Sequence, residues 1–207
     1  LKKITGISSI EQTDLICDFV GGPVGHRLRF GGGRGQALAK AVGLKNGKNP
    51  DIVDATAGLG RDAFLLASLG AHVTLIERNE KMHALLKDGL GKADKEGGKY
   101  SEIISRMNLI YGDAKELLPS LSPDVILVDP MHPPRGKSAQ VKKEMRQIRE
   151  IVGTDPDANE LMKIALNVAK SRVVLKWPLR ADPIKTMVKP SHQIAGKSTR
   201  YDVFMCG

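Results

Sequence analysis

The stretch Asp51-Ile-Val-Asp54-Ala-Thr56-Ala-Gly58-Leu-Gly60-Arg61-Asp62 decides the fold of this chain. Ile52, Val53 and Ala55 are apolar, as in a buried strand, and the glycines predict a tight turn that leads into a helix. A second strand, His72 to Glu77, ends in an acid 17 residues after Gly60. This order of strand, turn, helix and strand is typical of a parallel α/β sheet.

The glycine turn and the acid that follows it predict a binding site for a nucleoside. Glycines let the backbone approach a ligand, and the start of a helix presents unpaired N–H groups. An acid at the end of the next strand accepts hydrogen bonds from ribose hydroxyls. Thr56 stands where dinucleotide folds usually have their first glycine, so the turn alone is a weak signal. We predict that Asp54, Gly58, Gly60 and Glu77 belong to this site.

Strands and helices alternate from residue 51 onward. Strands are predicted at 51–55, 72–77, 107–111, 124–129, 171–177, 191–195 and 201–206, and helices at 61–69, 79–93, 114–119, 138–151 and 157–170. The last two strands are joined by Gly196 to Arg200, which is too short for a parallel crossover, so we expect them to pair antiparallel. The result is a Rossmann-like α/β sheet of seven strands with the last one antiparallel, which resembles the class I S-adenosylmethionine-dependent methyltransferases.

The first 50 residues are predicted to be a lead-in, and residues 51–207 the catalytic domain. Gly21 to Gly35 is rich in glycine and carries arginines, which favours a loop. A short helix is predicted from Gln36 to Val42. The chain begins at Leu1 rather than Met, from which we expect an N-terminal piece to be absent.

Two more acids follow consecutive predicted strands. Asp113 comes after the third strand and Asp129 ends the fourth. Because the carboxyl ends of parallel strands share one sheet edge, these acids and Glu77 are expected to meet there. Asp113, with the Ala114 backbone, would hold an adenine amino edge. Three charged residues would contact the rest of an S-adenosylmethionine molecule. Arg61 and Asp62 would meet its methionine part, and Arg78 would flank its adenosine.

The segment Asp129-Pro130-Met131-His132-Pro133 resembles the Asp-Pro-Pro-aromatic motif of methyltransferases that modify exocyclic base amines. An aromatic amine is a poor nucleophile because its lone pair is delocalised into the ring. Acceptors on both of its protons, from the Asp129 carboxylate and the Pro130 carbonyl, would favour a tetrahedral nitrogen. His132 would stack on the base, or would simply end the turn. Asp129, Pro130 and His132 are therefore the predicted catalytic residues.

A basic stretch follows this motif directly and favours contact with RNA phosphates. The net charge of the chain is +9 and its pI is about 9.6, which fits either a nucleic-acid surface or a lysine-rich solvated one. The predicted RNA-binding residues are Arg34, Arg135, Lys137, Lys142, Lys143 and Arg146. We expect Arg27 and Arg29 to add to this surface.

Composition limits the other possibilities. At 207 residues with 41% hydrophobic residues, the chain supports an ordinary core. It has no apolar run of about 20 residues and no secretory signal, so we expect a cytoplasmic protein. Cys17 and Cys206 lack metal-ligand spacing, which favours reduced thiols and no metal.

Several further segments resemble one family along nearly the whole chain from residue 18. They include Asp-Phe-Val-Gly-Gly, Phe-Gly-Gly-Gly-Arg-Gly, Val-Asp-Ala-Thr-Ala-Gly-Leu-Gly-Arg-Asp-Ala-Phe, Asp-Pro-Met-x-Pro and Lys-Ser-Ala-x-Val-Lys-Lys-Glu-Met-Arg. Their positions are 18–22, 30–35, 53–64, 129–133 and 137–146, with shorter matches at 26–27 and 77–79. Together they look like the RsmJ family of bacterial ribosomal RNA guanine-N2 methyltransferases.

That resemblance implies a function and a set of site residues. It implies methyl transfer from S-adenosyl-L-methionine to the N2 of a guanine in 16S rRNA, at position 1516 of the usual rRNA numbering. The partner would be 16S rRNA or the small ribosomal subunit, without membrane or metal, and no oligomeric state is implied. The cofactor positions would be Arg61, Asp62, Glu77, Arg78, Asp113, Ala114 and Asp129. His132 departs from the family's Phe, and residues 1–50 would be the remnant of an N-terminal subdomain.

Three alternatives remain open from the sequence. A DNA or protein amino-group methyltransferase would share the Asp-Pro motif, and its acceptor would distinguish it. A nicotinamide-dependent oxidoreductase is disfavoured by Thr56 and by the Asp113 and Asp129 pair. A non-enzymatic RNA-binding module would bind RNA whether or not S-adenosylmethionine is present.

Overall fold

The computed structural model describes residues 15–30, 32–45, 49–131, 143–184 and 188–207. The strands are β1 Asp51–Asp54, β2 His72–Glu77, β3 Met107–Tyr111, β4 Val125–Val128, β5 Arg172–Pro178, β6 His192–Ala195 and β7 Thr199–Met205. The helices are α1 Gly22–Phe30, α2 Ala37–Ala41, α3 Arg61–Ser68, α4 Glu80–Lys95, α5 Lys99–Ile104, α6 Ala114–Leu117, α7 Lys143–Val152 and α8 Ala158–Val168. Short 3-10 turns cover Gly33–Gly35 and Leu118–Ser120.

The strands form one seven-stranded sheet in the order β3-β2-β1-β4-β5-β7-β6. The pairs from β3 to β5 are parallel, whereas β7 runs antiparallel to both β5 and β6. The predicted fold class and the antiparallel last strand are therefore confirmed. Strand ends differ from prediction by at most two residues, which is the usual uncertainty of element boundaries.

Hydrophobic clusters cover both faces of the sheet. One face packs residues of β1, β2 and β4 against α3 and α4, with Phe64, Leu66 and Leu86 fully buried. The other face packs β4 and β5 against α8, around Ile126 and Met162. The strand Val125–Val128 is a continuous apolar run because it is buried at every position.

The N-terminal part shares the first of these cores. Phe19 stacks on Phe64 with ring centroids 4.7 Å apart, and Leu38 is fully buried in the same cluster. The described part of this N-terminal segment therefore shares a hydrophobic core with α3 and the sheet. The division of the chain at residue 50 stays a prediction.

The loop predicted for Gly21 to Gly35 is wrong for most of its length, because residues 22–30 form α1. Pro23 stands in the first helical turn, where a missing N–H costs no hydrogen bond. Arg27 fixes the helix to the rest of the fold, since its guanidinium donates to Gln36 and to Asp62, each at 2.9 Å. Tertiary contacts of this kind override the low helix propensity of glycine. The short helix α5 was also missed.

Candidate active site

The sheet brings the predicted acids to one edge. Glu77 ends β2 and Asp54 ends β1, while Asp113 and Asp129 follow β3 and β4, so all four lie at the carboxyl ends of neighbouring parallel strands. A cavity of about 330 Å³ lies at this edge. The predicted site residues that line it are Asp54, Gly58, Arg61, Asp62, Glu77, Arg78, Asp113, Ala114, Asp129 and Pro130. Among the described residues predicted to be catalytic or cofactor-binding, only Gly60 does not line it, and it lies just before α3.

The glycine turn lies between β1 and α3 and needs its glycines for two reasons. Gly58 and Gly60 have φ angles of 52° and 65°, in the left-handed region that other residues rarely adopt. A Cβ on Gly60 would also lie 2.6 Å from Leu86 Cδ1, inside the core. Gly60 therefore shapes the turn from beneath, while Gly58 contributes to the cavity wall.

Glu77 is buried and holds the glycine turn against β2. Its Oε2 accepts the Gly58 N–H and its Oε1 accepts the Asn79 N–H, both at 2.8 Å. Burial raises the pKa of this carboxyl, although the two backbone N–H groups oppose the shift. Each oxygen keeps a second lone pair, so the carboxylate can still accept bonds from ribose hydroxyls.

The two residues that open α3 are engaged by other side chains. Arg61 forms an ion pair with Glu144 of α7. Asp62 accepts from Arg27 at 2.9 Å and from Lys176 at 2.7 Å. Burial alone would raise the pKa of Asp62, but the two cations lower it below its ordinary value. Contact of Arg61 and Asp62 with a bound methionine moiety stays a prediction.

Arg78 joins the end of β2 to the segment between α7 and α8. Its guanidinium pairs with Asp157 at 2.7 Å and with Asp155 at 2.5 Å, and lies 3.6 Å from Asp113. Asp113 caps α6 by accepting the Lys115 N–H at 2.8 Å. These contacts place Arg78 and Asp113 side by side on the cavity wall. Contact of either residue with adenosine stays a prediction.

Asp129 lies where β4 leaves the sheet, and two neighbours hold it. Its N–H donates to Thr56 Oγ1 at 2.7 Å, and its Oδ2 accepts from Lys176 Nζ at 2.6 Å. Pro130 follows and is buried. The next residue, Met131, donates its N–H to Asp155 at 2.6 Å. The start of the predicted catalytic motif is thus fixed by contacts from three other parts of the chain.

Asp54 is a buried carboxyl beneath the cavity, only 3% exposed. Burial raises its pKa to about 7, with the Asp62 and Asp129 charges adding to the shift and the Thr56 N–H and Lys176 opposing it. Between about pH 4 and pH 7 the folded state therefore keeps a proton that the unfolded chain has lost. Stability must fall as pH rises through that window.

Asp54→Asn should therefore stabilise the protein at pH 8 but not near pH 4. Asparagine keeps an oxygen for the Thr56 N–H, whose bond to Asp54 is 3.2 Å long, and removes the buried charge. Three pKa units correspond to an upper limit of about 4 kcal/mol. Urea unfolding at both pH values measures the difference, with the exposed Asp88→Asn as control. Equal gains at pH 4 and pH 8 would contradict a titrating Asp54.

Part of the predicted RNA surface can be placed. Arg146 is exposed on α7, whose Met145, Ile148 and Val152 line the cavity. Arg34 instead donates to the Lys45 carbonyl at 2.6 Å and to Leu69 O at 2.8 Å, so its guanidinium anchors the fold. RNA binding by both residues stays a prediction. His132, Arg135, Lys137 and Lys142 lie outside the described residues, and Lys143 is described only as the first residue of α7.

Sequence reasoning missed several residues of this site. Lys176 was hidden inside an apolar strand, although a lysine near the carboxyl end of such a strand is itself a signal. Asp155 lies on the connection between α7 and α8, which no strand or helix pattern marked, and Asp157 was predicted only as the first residue of a helix. Arg27 was predicted to join the RNA surface, but it lines the cavity and pairs with Asp62.

Among the described residues, no group of three metal-ligating side chains comes together, and no helix has the length and apolarity to cross a membrane. Cys17 is buried, which raises its pKa to about 12 and keeps its thiol protonated at neutral pH.

Comparison with known proteins matches the chain almost from end to end. Residues 3–206 match the model of a family described as putative SAM-dependent methyltransferases. A ribosomal RNA small subunit methyltransferase J from Brucella anthropi is 71% identical over 196 residues, covering 95% of this chain and 96% of the relative. One from Agrobacterium fabrum is 64% identical, covering 94% of each chain. A solved SAM-dependent methyltransferase from Neisseria gonorrhoeae superposes with a TM-score of 0.73 at 35% identity, covering 95% of this chain and 76% of that one.

Proposed function

Because this chain belongs to the ribosomal RNA small subunit methyltransferase J family of SAM-dependent methyltransferases, we propose that it methylates the N2 amine of a guanine in 16S rRNA. The observation that carries the proposal is the shared cavity at the sheet edge. Glu77 and Gly58 line it together with Asp129 and Pro130. This shared lining supports a nucleoside and an acceptor amine that meet in one space. Its place of action would be the cytoplasm, where ribosomal subunits are assembled.

The cavity suits S-adenosylmethionine on chemical grounds. Glu77 offers the two acceptor oxygens that a ribose diol needs, and Gly58 lets the backbone approach without a side chain. Asp113 and the Ala114 backbone would meet the adenine edge, while Arg61 and Asp62 would meet the charged methionine end. When bound, S-adenosylmethionine supplies an electrophilic methyl group on a sulfonium.

Asp129 and Pro130 would prepare the acceptor amine. The Asp129 carboxylate and the Pro130 carbonyl each accept one N–H of the guanine amine, which draws the nitrogen toward the tetrahedral form that attacks. The Asp129 carboxylate then takes up the proton that the nitrogen must lose. Positioning and charge complementarity supply the acceleration, and this needs no metal. Stacking of His132 on the base stays a prediction from the sequence, in which an imidazole stands where the family has Phe.

Methyl transfer from labelled S-adenosylmethionine to small ribosomal subunits that lack the modification tests the function directly. Digestion of the product RNA should yield labelled N2-methylguanosine. Naked 16S rRNA and duplex DNA serve as parallel acceptors and separate an RNA enzyme from a DNA enzyme. A labelled protein band, or no labelled nucleoside while the cofactor binds, would overturn the assignment.

RNA affinity should depend on the basic residues of the sequence 142–146. Lys142→Glu, Lys143→Glu and Arg146→Glu together should weaken RNA binding and flatten its salt dependence, by about one unit of slope for each phosphate that is no longer neutralised. Filter binding at several salt concentrations measures both effects.

A matched triple reversal of Lys40, Lys45 and Lys170 controls for total charge. These three lysines are exposed. They lie near the opposite sheet edge, since Lys170 precedes β5 and Arg172 donates to Ala41 O beside Lys40. If both triple variants lose affinity equally, only total charge matters and the α7 surface is not a specific contact.

A further inference from the structure

Lys176 is the one cation on the central strands that reaches the catalytic aspartate among the described residues. It lies on β5, one residue beyond Leu175, which pairs with Val128 of β4. Its position in the sheet is therefore directly beside Asp129. Its Nζ lies 2.6 Å from Asp129 Oδ2 and 2.7 Å from Asp62 Oδ2, and its side chain is 25% exposed.

This placement gives Lys176 two effects on Asp129. The contact holds one carboxylate oxygen, Oδ2, and leaves Oδ1 for a substrate donor. The positive charge also offsets the negative charges of Asp62 and Asp129, which share Lys176 Nζ. Burial alone would lower the pKa of Lys176, but the two carboxylates raise it above its ordinary value, so the cation stays charged.

Thr56 holds the backbone of the same residue. Its Oγ1 accepts the Asp129 N–H at 2.7 Å, and this bond joins the turn after β1 to the end of β4. This hydrogen bond therefore positions the backbone that continues from Asp129 to Pro130. A glycine, which dinucleotide folds place here, has no side chain to make the bond. The departure of Thr56 from the glycine pattern thus has a structural reason.

We propose that Lys176 and Thr56 are positioning residues that fix the Asp129 carboxylate and backbone for the acceptor amine. The proposal rests on the proposed methyl transfer at Asp129 and adds two residues that act through it. Lys176 controls both the orientation and the ionisation of the carboxylate, whereas Thr56 controls geometry alone.

The charged groups around Asp129 predict how the rate of methyl transfer depends on pH. Partial burial raises the pKa of Asp129, Lys176 lowers it, and Asp62 and Asp155 raise it. The charged and titratable groups around it come from α1, β1, α3, β5, the segment before α8 and β7: Arg27, Asp54, Asp62, Lys176, Asp155 and Tyr201. Without Lys176, the remaining carboxylates repel one another and Asp129 keeps its proton to higher pH.

The test compares kcat, cofactor Kd and pH profiles of two pairs of variants. Lys176→Met should lower kcat about 10- to 100-fold at pH 7. It should also move the acidic limb of the profile to higher pH by about one unit or more. Lys176→Arg should return the acidic limb of the pH profile to its wild-type position. The cofactor Kd should stay within about threefold, because Arg27 still holds Asp62. Lys163→Met, an exposed site on α8, is the matched control.

Thr56→Val should lower kcat without moving the limb, and Thr56→Ser should restore it. In an Asp129→Ala background, Lys176→Met should have no further effect on transfer, as a double-mutant cycle requires for groups that act through one another. The proposal would be overturned if Lys176→Met weakened only cofactor binding. It would also be overturned if Lys176→Met lowered the transfer rate as much in Asp129→Ala as in the wild type. Thermal unfolding checks that each variant is folded. If Lys176→Met does not fold, Thr56→Val and Thr56→Ser still test whether the position of Asp129 controls the rate.

A measurement without turnover separates this inference from the function itself. In protein with ¹³C-labelled aspartate, the Asp129 carboxyl resonance, assigned by its loss in Asp129→Asn, reports ionisation directly. Its midpoint should rise in Lys176→Met and not in Lys176→Arg. Wild-type protein that titrates in this way but transfers no methyl would reject the proposed function alone. A midpoint that does not move rejects the Lys176 inference, whatever the turnover.

Discussion

Asp129→Asn should reduce the rate of methyl transfer at saturating S-adenosylmethionine about 10³-fold while the fold persists. Asparagine matches the size of aspartate and keeps one oxygen, so the Thr56 and Lys176 contacts have little steric reason to change. It loses the charge that stabilises an amine nitrogen on its way to a cation, and it cannot take up the proton. Single-turnover transfer with saturating S-adenosylmethionine isolates the chemical step from binding.

Asp124→Asn provides the matched control for this prediction. Asp124 precedes the same strand at its other end, where its carboxylate accepts the Asp51 N–H at 3.1 Å. Asparagine retains such an acceptor, so near wild-type turnover is expected. Asp129→Asn with more than a tenth of wild-type turnover would falsify the proton-accepting role and leave the motif as a strand exit.

The predictable parts of this fold are those encoded by local pattern. Residues 51–77 carry strand, glycine turn, helix and strand in sequence order, so β1, α3 and β2 could be placed within one or two residues. Parallel order then fixes which strand ends share an edge. For that reason the sequence alone predicts that Glu77, Asp113 and Asp129 lie close together, without any knowledge of side-chain geometry.

The parts that escaped prediction depend on contacts distant in sequence. Lys176 meets Asp62 across 114 positions and Asp129 across 47. A lysine in a strand usually points to solvent, and nothing local reveals two carboxylates beside it. In the same way, the glycine-rich sequence of α1 indicates a loop until Arg27 is seen to pair with Asp62 and Gln36. Its helix depends on tertiary contacts that no window of sequence contains.

Arg34 illustrates the opposite case, a residue whose type predicts RNA binding and to which the fold also gives a structural role. Its arginine type and glycine-rich surroundings favoured a phosphate contact. In the fold, its guanidinium bonds Lys45 O, Asn49 Oδ1 and Leu69 O, which closes the connection between α2 and β1 onto the end of α3. Five N–H donors in a planar fork suit carbonyl oxygens as well as phosphates, so residue type alone does not discriminate.

Glu77→Gln should weaken S-adenosylmethionine binding about 10- to 100-fold, because a hydrogen bond to a charged acceptor contributes about 1.5–3 kcal/mol. Glutamine keeps the side-chain length, but its amide nitrogen cannot accept an N–H. One of the two backbone bonds, to Gly58 or to Asn79, must therefore be lost together with the charge. Isothermal titration of the cofactor against the variant and against the exposed Glu96→Gln measures the difference.

The pH dependence of the same titration distinguishes a ribose contact from a loosened turn. Burial raises the pKa of Glu77, so wild-type affinity should decline as the pH falls toward that raised pKa and the carboxylate gains a proton. Glutamine does not titrate, and the affinity of Glu77→Gln should lose that decline. If the variant binds weakly but keeps the wild-type pH dependence, the glycine turn has been disturbed and another group titrates. If it binds as tightly as wild type, Glu77 only holds the turn, and the ribose must find its acceptor elsewhere on the cavity wall.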